Sequence, residues 1–182
     1  TQYSSPIQIP GTDWVFTTSS AEAQAAINTD GELFVWGAND AGTLGLNQVE
    51  ATKISSPTQI PGTTWRRIHF DYERSAVATK TDGTLWAWGK NYSGGLGQNN
   101  KVKYSSPVQI PGTSWSENVT MGRYSTYAVR TDGTLWTWGE NGKGELGQGN
   151  KTNYSSPVQV GTRTDWSPRI ATKSSANMAI QL

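Results

Sequence analysis

The single histidine, His69, is where chemistry would have to start in this 182-residue chain. It sits in the most charged stretch, WRRIHFDYER over 65–74, with Asp71 nearby and Asp82 further on. A Ser-His-Asp arrangement is formally open to it, but no nucleophile-elbow motif accompanies it. With no second histidine and no cysteine, the usual zinc ligand sets are missing, so no metal is expected. Asp30, Asp82 and Asp132 could be read as the paired acids of glycoside hydrolysis. Each is followed directly by glycine, and the plainer role for that dipeptide is to shape a turn. Segment 142–147, GKGELG, lacks the Gly-Lys-Ser/Thr ending of a phosphate loop, and its copies lack the lysine. Sequons begin at Asn91, Asn118, Asn150 and Asn153, which a Ser/Thr/Asn-rich chain produces by chance. No acid, base and nucleophile converge in the pattern. The expectation is a protein without catalysis or cofactor.

What must position these residues is a repeat. The phrase TDGTLWTWGENGKGELG at 131–147 has copies at 81–97 (TDGTLWAWGKNYSGGLG) and 29–45 (TDGELFVWGANDAGTLG). A second phrase, Ser-Ser-Pro, alternates with it at 4–6, 55–57, 105–107 and 155–157, with starts 51, 50 and 50 residues apart. A period near 50 residues is the mark of a propeller, solenoid or array. Asp-Gly between apolar runs signals a hairpin. Leu85 and Ala87 then alternate with Trp86 and Trp88, so this strand is apolar on both faces rather than on one. Parallel sheets under helices give that pattern too, but no stretch carries helical apolar spacing long enough for a crossover. Radially stacked antiparallel blades satisfy both observations. Trp36, Trp88 and Trp138 are then packing residues between blades. Gly37, Gly89 and Gly139, with Gly94 and Gly97, mark tight connections.

The phrase W-G-x-N-x-x-G-x-L-G, at 36–45, 88–97 and 138–147, resembles the repeat of the regulator-of-chromosome-condensation family, and the resemblance covers essentially the whole chain. It implies a seven-bladed propeller of four-stranded blades. Members of that family differ widely in task. They include a nucleotide exchange factor for a small GTPase, a plant ultraviolet-B photoreceptor, a secreted bacterial β-lactamase inhibitor, and repeats in bacterial and phage surface proteins. Fold therefore constrains function loosely.

One repeat region is expected over 1–182, with repeats at about 1–50, 51–100, 101–150 and a partial one at 151–182. Within each repeat, 6–9 reads as a short strand and Trp14, Trp65, Trp115 and Trp166 each open another. The small-residue stretches 23–28, 75–80 and 125–130 lead into the Asp-Gly turns. Ala26, Ala78 and Ala128 fall in register there, where close packing near a central channel needs a small side chain. Four Ser-Ser-Pro halves face three Trp-Gly halves, about 3.5 blades. The expectation is the C-terminal portion of a longer protein, about half of a ring, with two chains closing one ring as the alternative. An open half-ring would expose indole-lined faces and sheet edges, so missing blades, a second copy or another protein should cover them.

Composition limits the partners. Net charge is +1 and charged residues are only 16%, without the basic excess of a nucleic-acid binder. No apolar run reaches membrane-span length, so no insertion is expected. Nine tryptophans against three phenylalanines follow from the repeat. Low charge, abundant Ser, Thr, Asn, Gln and Gly, absent cysteine and near-identical copies suggest a virion or an extracellular or cell-surface location, with the cytoplasm still open. The first functional expectation is a structural and recognition module of a phage virion or bacterial surface protein. The alternative is a regulator that inhibits or activates an enzyme or small GTPase through the propeller rim. Photoreception has only the tryptophan count behind it. A binding surface should lie where copies differ, chiefly 47–52 against 99–102 and 66–74 against 116–124. There Arg66, Arg67, Tyr72, Arg74, Arg123 and Tyr124 are of the types that interfaces favour.

Overall fold

The computed structural model describes residues 5–48, 51–72, 74–173 and 176–181, so the chain start, Val49, Glu50, Glu73, Ser174, Ser175 and Leu182 lie outside the described residues. The architecture is all-β, with a single turn of 3-10 helix at Asp40–Gly42. Three complete blades follow one another in sequence. The first orders β1 (Trp14–Ser19), β2 (Ala23–Asn28), β3 (Leu33–Ala38) and β4 (Lys53–Ile60) as neighbours. The second does the same with β5 (Trp65–Phe70), β6 (Ser75–Lys80), β7 (Leu85–Gly89) and β8 (Tyr104–Ile110). The third uses β9 (Trp115–Met121), β10 (Ser125–Arg130), β11 (Leu135–Gly139) and β12 (Tyr154–Gln159). Strands β13 (Trp166–Lys173) and β14 (Ala176–Gln181) pair as the first half of a fourth.

All pairings are antiparallel. The first strands of successive blades touch one another, which puts β1, β5, β9 and β13 nearest the axis and the Ser-Ser-Pro strands at the circumference. The alanine strands are therefore second from the axis. Ala26, Ala78 and Ala128 are small for another reason: each stands directly opposite a large ring, Phe34, Trp86 or Trp136. The expected strand at 6–9 does not form. Its copies pair with a Trp-Gly strand of their own blade, and residues 6–9 have no such neighbour among the described residues, leaving Ile7 62% exposed.

Blades are joined by the repeated phrase itself. Trp88 and Trp138 are fully buried. The Trp88 Nε1–H donates to the Thr43 carbonyl of the preceding blade, and Trp138 Nε1–H to Gly95, both at 2.8 Å. Gly45 and Gly97 have φ of +68° and +70°, and a Cβ on either would strike the indole beside it. Asn91 organises the connection within a blade: its Oδ1 accepts the Leu96 N–H and its Nδ2 donates to the Asn100 and Val102 carbonyls. Asn141 repeats this with Leu146, Asn150 and Thr152. The Asn47 and Asn99 N–H groups then reach the Ser105 and Ser155 carbonyls of the next blade. At the other end of each blade, Trp65, Trp115 and Trp166 donate their backbone N–H to Gly31, Gly83 and Gly133 in the preceding Asp-Gly turn. Trp36, third member of the tryptophan set, is only half-buried, since no blade among the described residues lies against that face as the first and second blades do against Trp88 and Trp138.

Candidate recognition surfaces

The residues weighed for catalysis take structural places in the fold. His69 lies on β5 with its ring edge-on to Phe16 of the first blade, centroids 6.3 Å apart. Burial, and then the neighbouring Arg67 charge, hold its pKa below the ordinary histidine value. The Asp71 carboxylate accepts the Ser75 N–H at 2.7 Å. Asp82 lies at the other end of the blade, where its Oδ1 accepts both the Thr84 N–H at 2.9 Å and the Thr84 hydroxyl at 2.7 Å. Asp132 repeats this with Thr134 at 3.0 and 2.6 Å. These bonds, the Thr hydroxyl first, hold both carboxyl groups below the usual range. In the first blade, Glu32 replaces the threonine, and Asn28 bonds it through both amide atoms instead. The aspartates are turn formers. Burial pushes the Tyr127 hydroxyl up to about 12, where it remains a structural donor to the Glu145 carbonyl. Among the described residues, no three His, Asp or Glu side chains gather to hold a metal ion. The sequon residue Asn91 is buried in its connector.

The six arginine and tyrosine candidates fall in two places. Arg66 and Arg67 are on β5, beside the axis rather than at the rim. Both meet Glu117 of the third blade, at 3.0 and 3.5 Å, and the Arg67 guanidinium also covers the Phe16 ring at 4.9 Å. They therefore link three blades. Ion pairs this exposed contribute at most about 1 kcal/mol each.

Tyr72, Arg74, Arg123 and Tyr124 sit together on one face, in the hairpin tips joining the first two strands of the second and third blades. Tyr72 is 70% exposed. Arg74 reaches back across the blade boundary to Asp40 at 2.9 Å and Glu22 at 3.4 Å. A cavity of about 290 Å³ opens there, bounded by Glu22, Asp40, Thr43, Tyr72 and Arg74. Across the next boundary, the Lys90 ammonium lies 4.6 Å from the Tyr92 ring and 5.9 Å from Tyr124, which Arg123 also covers at 5.2 Å. The hairpin tips and the starts of the connectors thus carry aromatic rings and charges of both signs, Glu22 and Asp40 beside the cations.

Sequence reasoning missed Glu117, Asp40, Lys90 and Tyr92. The last three had a readable signal, since Asp40, Tyr92 and Gly142 share one position of the repeat, as do Ala38, Lys90 and Glu140. Glu117 had none, because its pairing depends on how two separate sheets abut.

The regulator of chromosome condensation (RCC1) repeat model matches residues 30–69, 82–129 and 132–171, with a related repeat model over 117–145. The chain belongs to the RCC1 repeat family. No curated protein matches it by sequence. Among solved structures, it is similar in fold to yeast RCC1 (Prp20) in its complex with Kap60, with TM-score 0.79 and 17% identity over 93% of this chain and 43% of that one. Prp20p from Saccharomyces cerevisiae, described with its binding to Gsp1p and histones, gives TM-score 0.74 at 19% identity over 85% and 40%. Human WBSCR16 gives 0.68 at 20% over 82% and 40%. Identities this low carry the fold alone, and the chain spans about two-fifths of the length of these RCC1-like structures. No helix among the described residues is long and apolar enough to cross a membrane.

Proposed function

We propose that this RCC1 repeat chain is a non-enzymatic recognition module whose partner is a protein, engaged by the hairpin-tip face. The carrying observation is the gathering of Tyr72, Arg74, Arg123 and Tyr124 on one face. There the copies differ, while the scaffold positions around them repeat. Tyrosine and arginine supply large contact area together with directional donors, the combination found at interface hot spots. The low charge, polar-neutral composition and near-identical copies support a place in a phage virion or a bacterial surface protein, where such a module would join structural subunits.

A second reading is regulation of an enzyme or small GTPase. Likeness in fold to Prp20p, whose structure is described with binding to Gsp1p, favours it as the alternative. The test is quantitative cross-linking of the native protein in its own source, comparing wild type with a Y72A/R74A/R123A/Y124A variant. The reading expects one abundant protein partner to be lost from the variant while its circular dichroism is unchanged. Partners retained equally by both forms would refute it. The identity of the cross-linked partner, virion subunit or enzyme, separates the two readings.

A further inference from the structure

A connector glutamine closes the groove between connector and outer strand in the second and third blades. Gln98 Nε2 donates to the Gln109 carbonyl at 3.0 Å, and Gln148 Nε2 to Val158 at 3.4 Å and Gln159 at 3.3 Å. The aligned residue of the first blade is Leu46, which follows Gly45 as Gln98 follows Gly97. A leucine has no donor for this bridge, and the groove widens into a cavity of about 460 Å³ between the first and second blades. That is within the range of small-molecule sites. Its walls are Leu46, Ile60, Trp65, Trp86 and Pro107, with Lys80 among them.

Lys80 gives the cavity its polarity. Its ammonium lies 4.4 Å from the Trp65 ring and 4.6 Å from the Trp86 ring. Among the described residues no carboxylate is within ion-pair distance of it. The Asp82 carboxylate, which feels the Lys80 charge, is bound to Thr84. The Glu32 carboxylate touches the lining through the Gln59 amide and is shared with Asn28. A predominantly apolar chamber whose one cation makes no ion pair among the described residues, held instead against two indole faces, suits a flat ring bearing a single negative charge. We propose that this cavity binds a small aromatic carboxylate, its ring against Leu46, Trp86 and Pro107 and its carboxylate at the Lys80 ammonium. The site is separate from the hairpin-tip surface.

2-Naphthoate is a suitable probe, titrated into the whole chain by isothermal calorimetry alongside neutral 2-naphthalenemethanol. The wild type should bind naphthoate saturably at one site. L46Q installs the residue that two sister repeats already carry, so it should fold and weaken naphthoate roughly tenfold or more. K80M should weaken naphthoate by a similar factor while leaving the neutral alcohol unchanged, a charge-specific readout that holds even if L46Q fails to fold. Absence of saturable binding, or equal weakening of acid and alcohol in K80M, would overturn the proposal. So would full naphthoate affinity in a folded L46Q, or displacement of naphthoate by methyl β-glucoside at lower concentration.

Discussion

The junction between the first and second blades and that between the second and third are made with the same hydrogen bonds and filled with different side chains. At both, an indole N–H donates to a connector carbonyl, a connector asparagine N–H reaches the Ser-Ser-Pro strand, and an Asp-Gly turn accepts a tryptophan N–H. At the first, His69 faces Phe16 and the Leu46 cavity opens. At the second, Met121 and Val119 join the core and Gln98 closes the groove. Backbone acceptors and indoles hold the blades in place, so the filling between them is free to diverge. New surfaces arise where it does.

The sharpest way to break this comparison is to remove the indoles. Trp88→Ala and Trp138→Ala should each cost about 3–5 kcal/mol, the range for buried aromatic truncation. Half-buried Trp36→Ala should cost clearly less. Urea midpoints of the three variants give the ordering, and an equal loss at all three positions would mean that blade contact does not set it. Next in size, Asn91→Ala and Asn141→Ala strip four hydrogen bonds from each connector. Leaving buried groups unpaired should cost about 1–3 kcal/mol at either site, read from the same titration. Gly83→Ala should lose a comparable amount, since φ is +78° and the new Cβ would meet the Thr113 carbonyl.

Acid should discriminate between the junctions too. The folded His69 pKa lies below its unfolded value near 6.5, so the unfolded chain takes up a proton that the native one resists. Stability from this site is complete above about pH 6.5 and declines as pH falls towards the lowered folded pKa. His69→Phe should flatten the midpoint difference between pH 7.5 and pH 5.5, whereas Val119→Ala in the second junction should not. The smallest effect belongs to Arg74→Ala, which breaks two exposed ion pairs and should change stability by no more than about 1 kcal/mol while altering the tip surface.

Much of this was legible in the sequence because the period repeats the local physics. The Asp-Gly turns, the tryptophan-led strands and the doubly apolar Trp-Gly strands each follow from residue type and alternation. The start of β6 at Ser75 and of β10 at Ser125 was readable from small residues alone. What stayed hidden depends on contacts between sheets. Arg66 and Arg67 look like rim residues until the first strands converge and Glu117 meets them. Lys80 and Arg130 look like ordinary strand ends, yet each cation is sandwiched between two indoles. Residues 6–9 have the composition of a strand, but among the described residues no Trp-Gly strand lies beside them to pair with. Of the candidate surface, residue type identified Tyr72, Arg74, Arg123 and Tyr124, while their gathering on one face required the blade order.

Hydrogen exchange of the indole N–H protons, followed by two-dimensional NMR, tests most directly whether tryptophans fasten each blade to the one before. The Trp88 and Trp138 Nε1–H signals should persist far longer than that of Trp36. Exchange at one common fast rate would contradict the blade-to-blade clamp on which the fold and its surfaces rest.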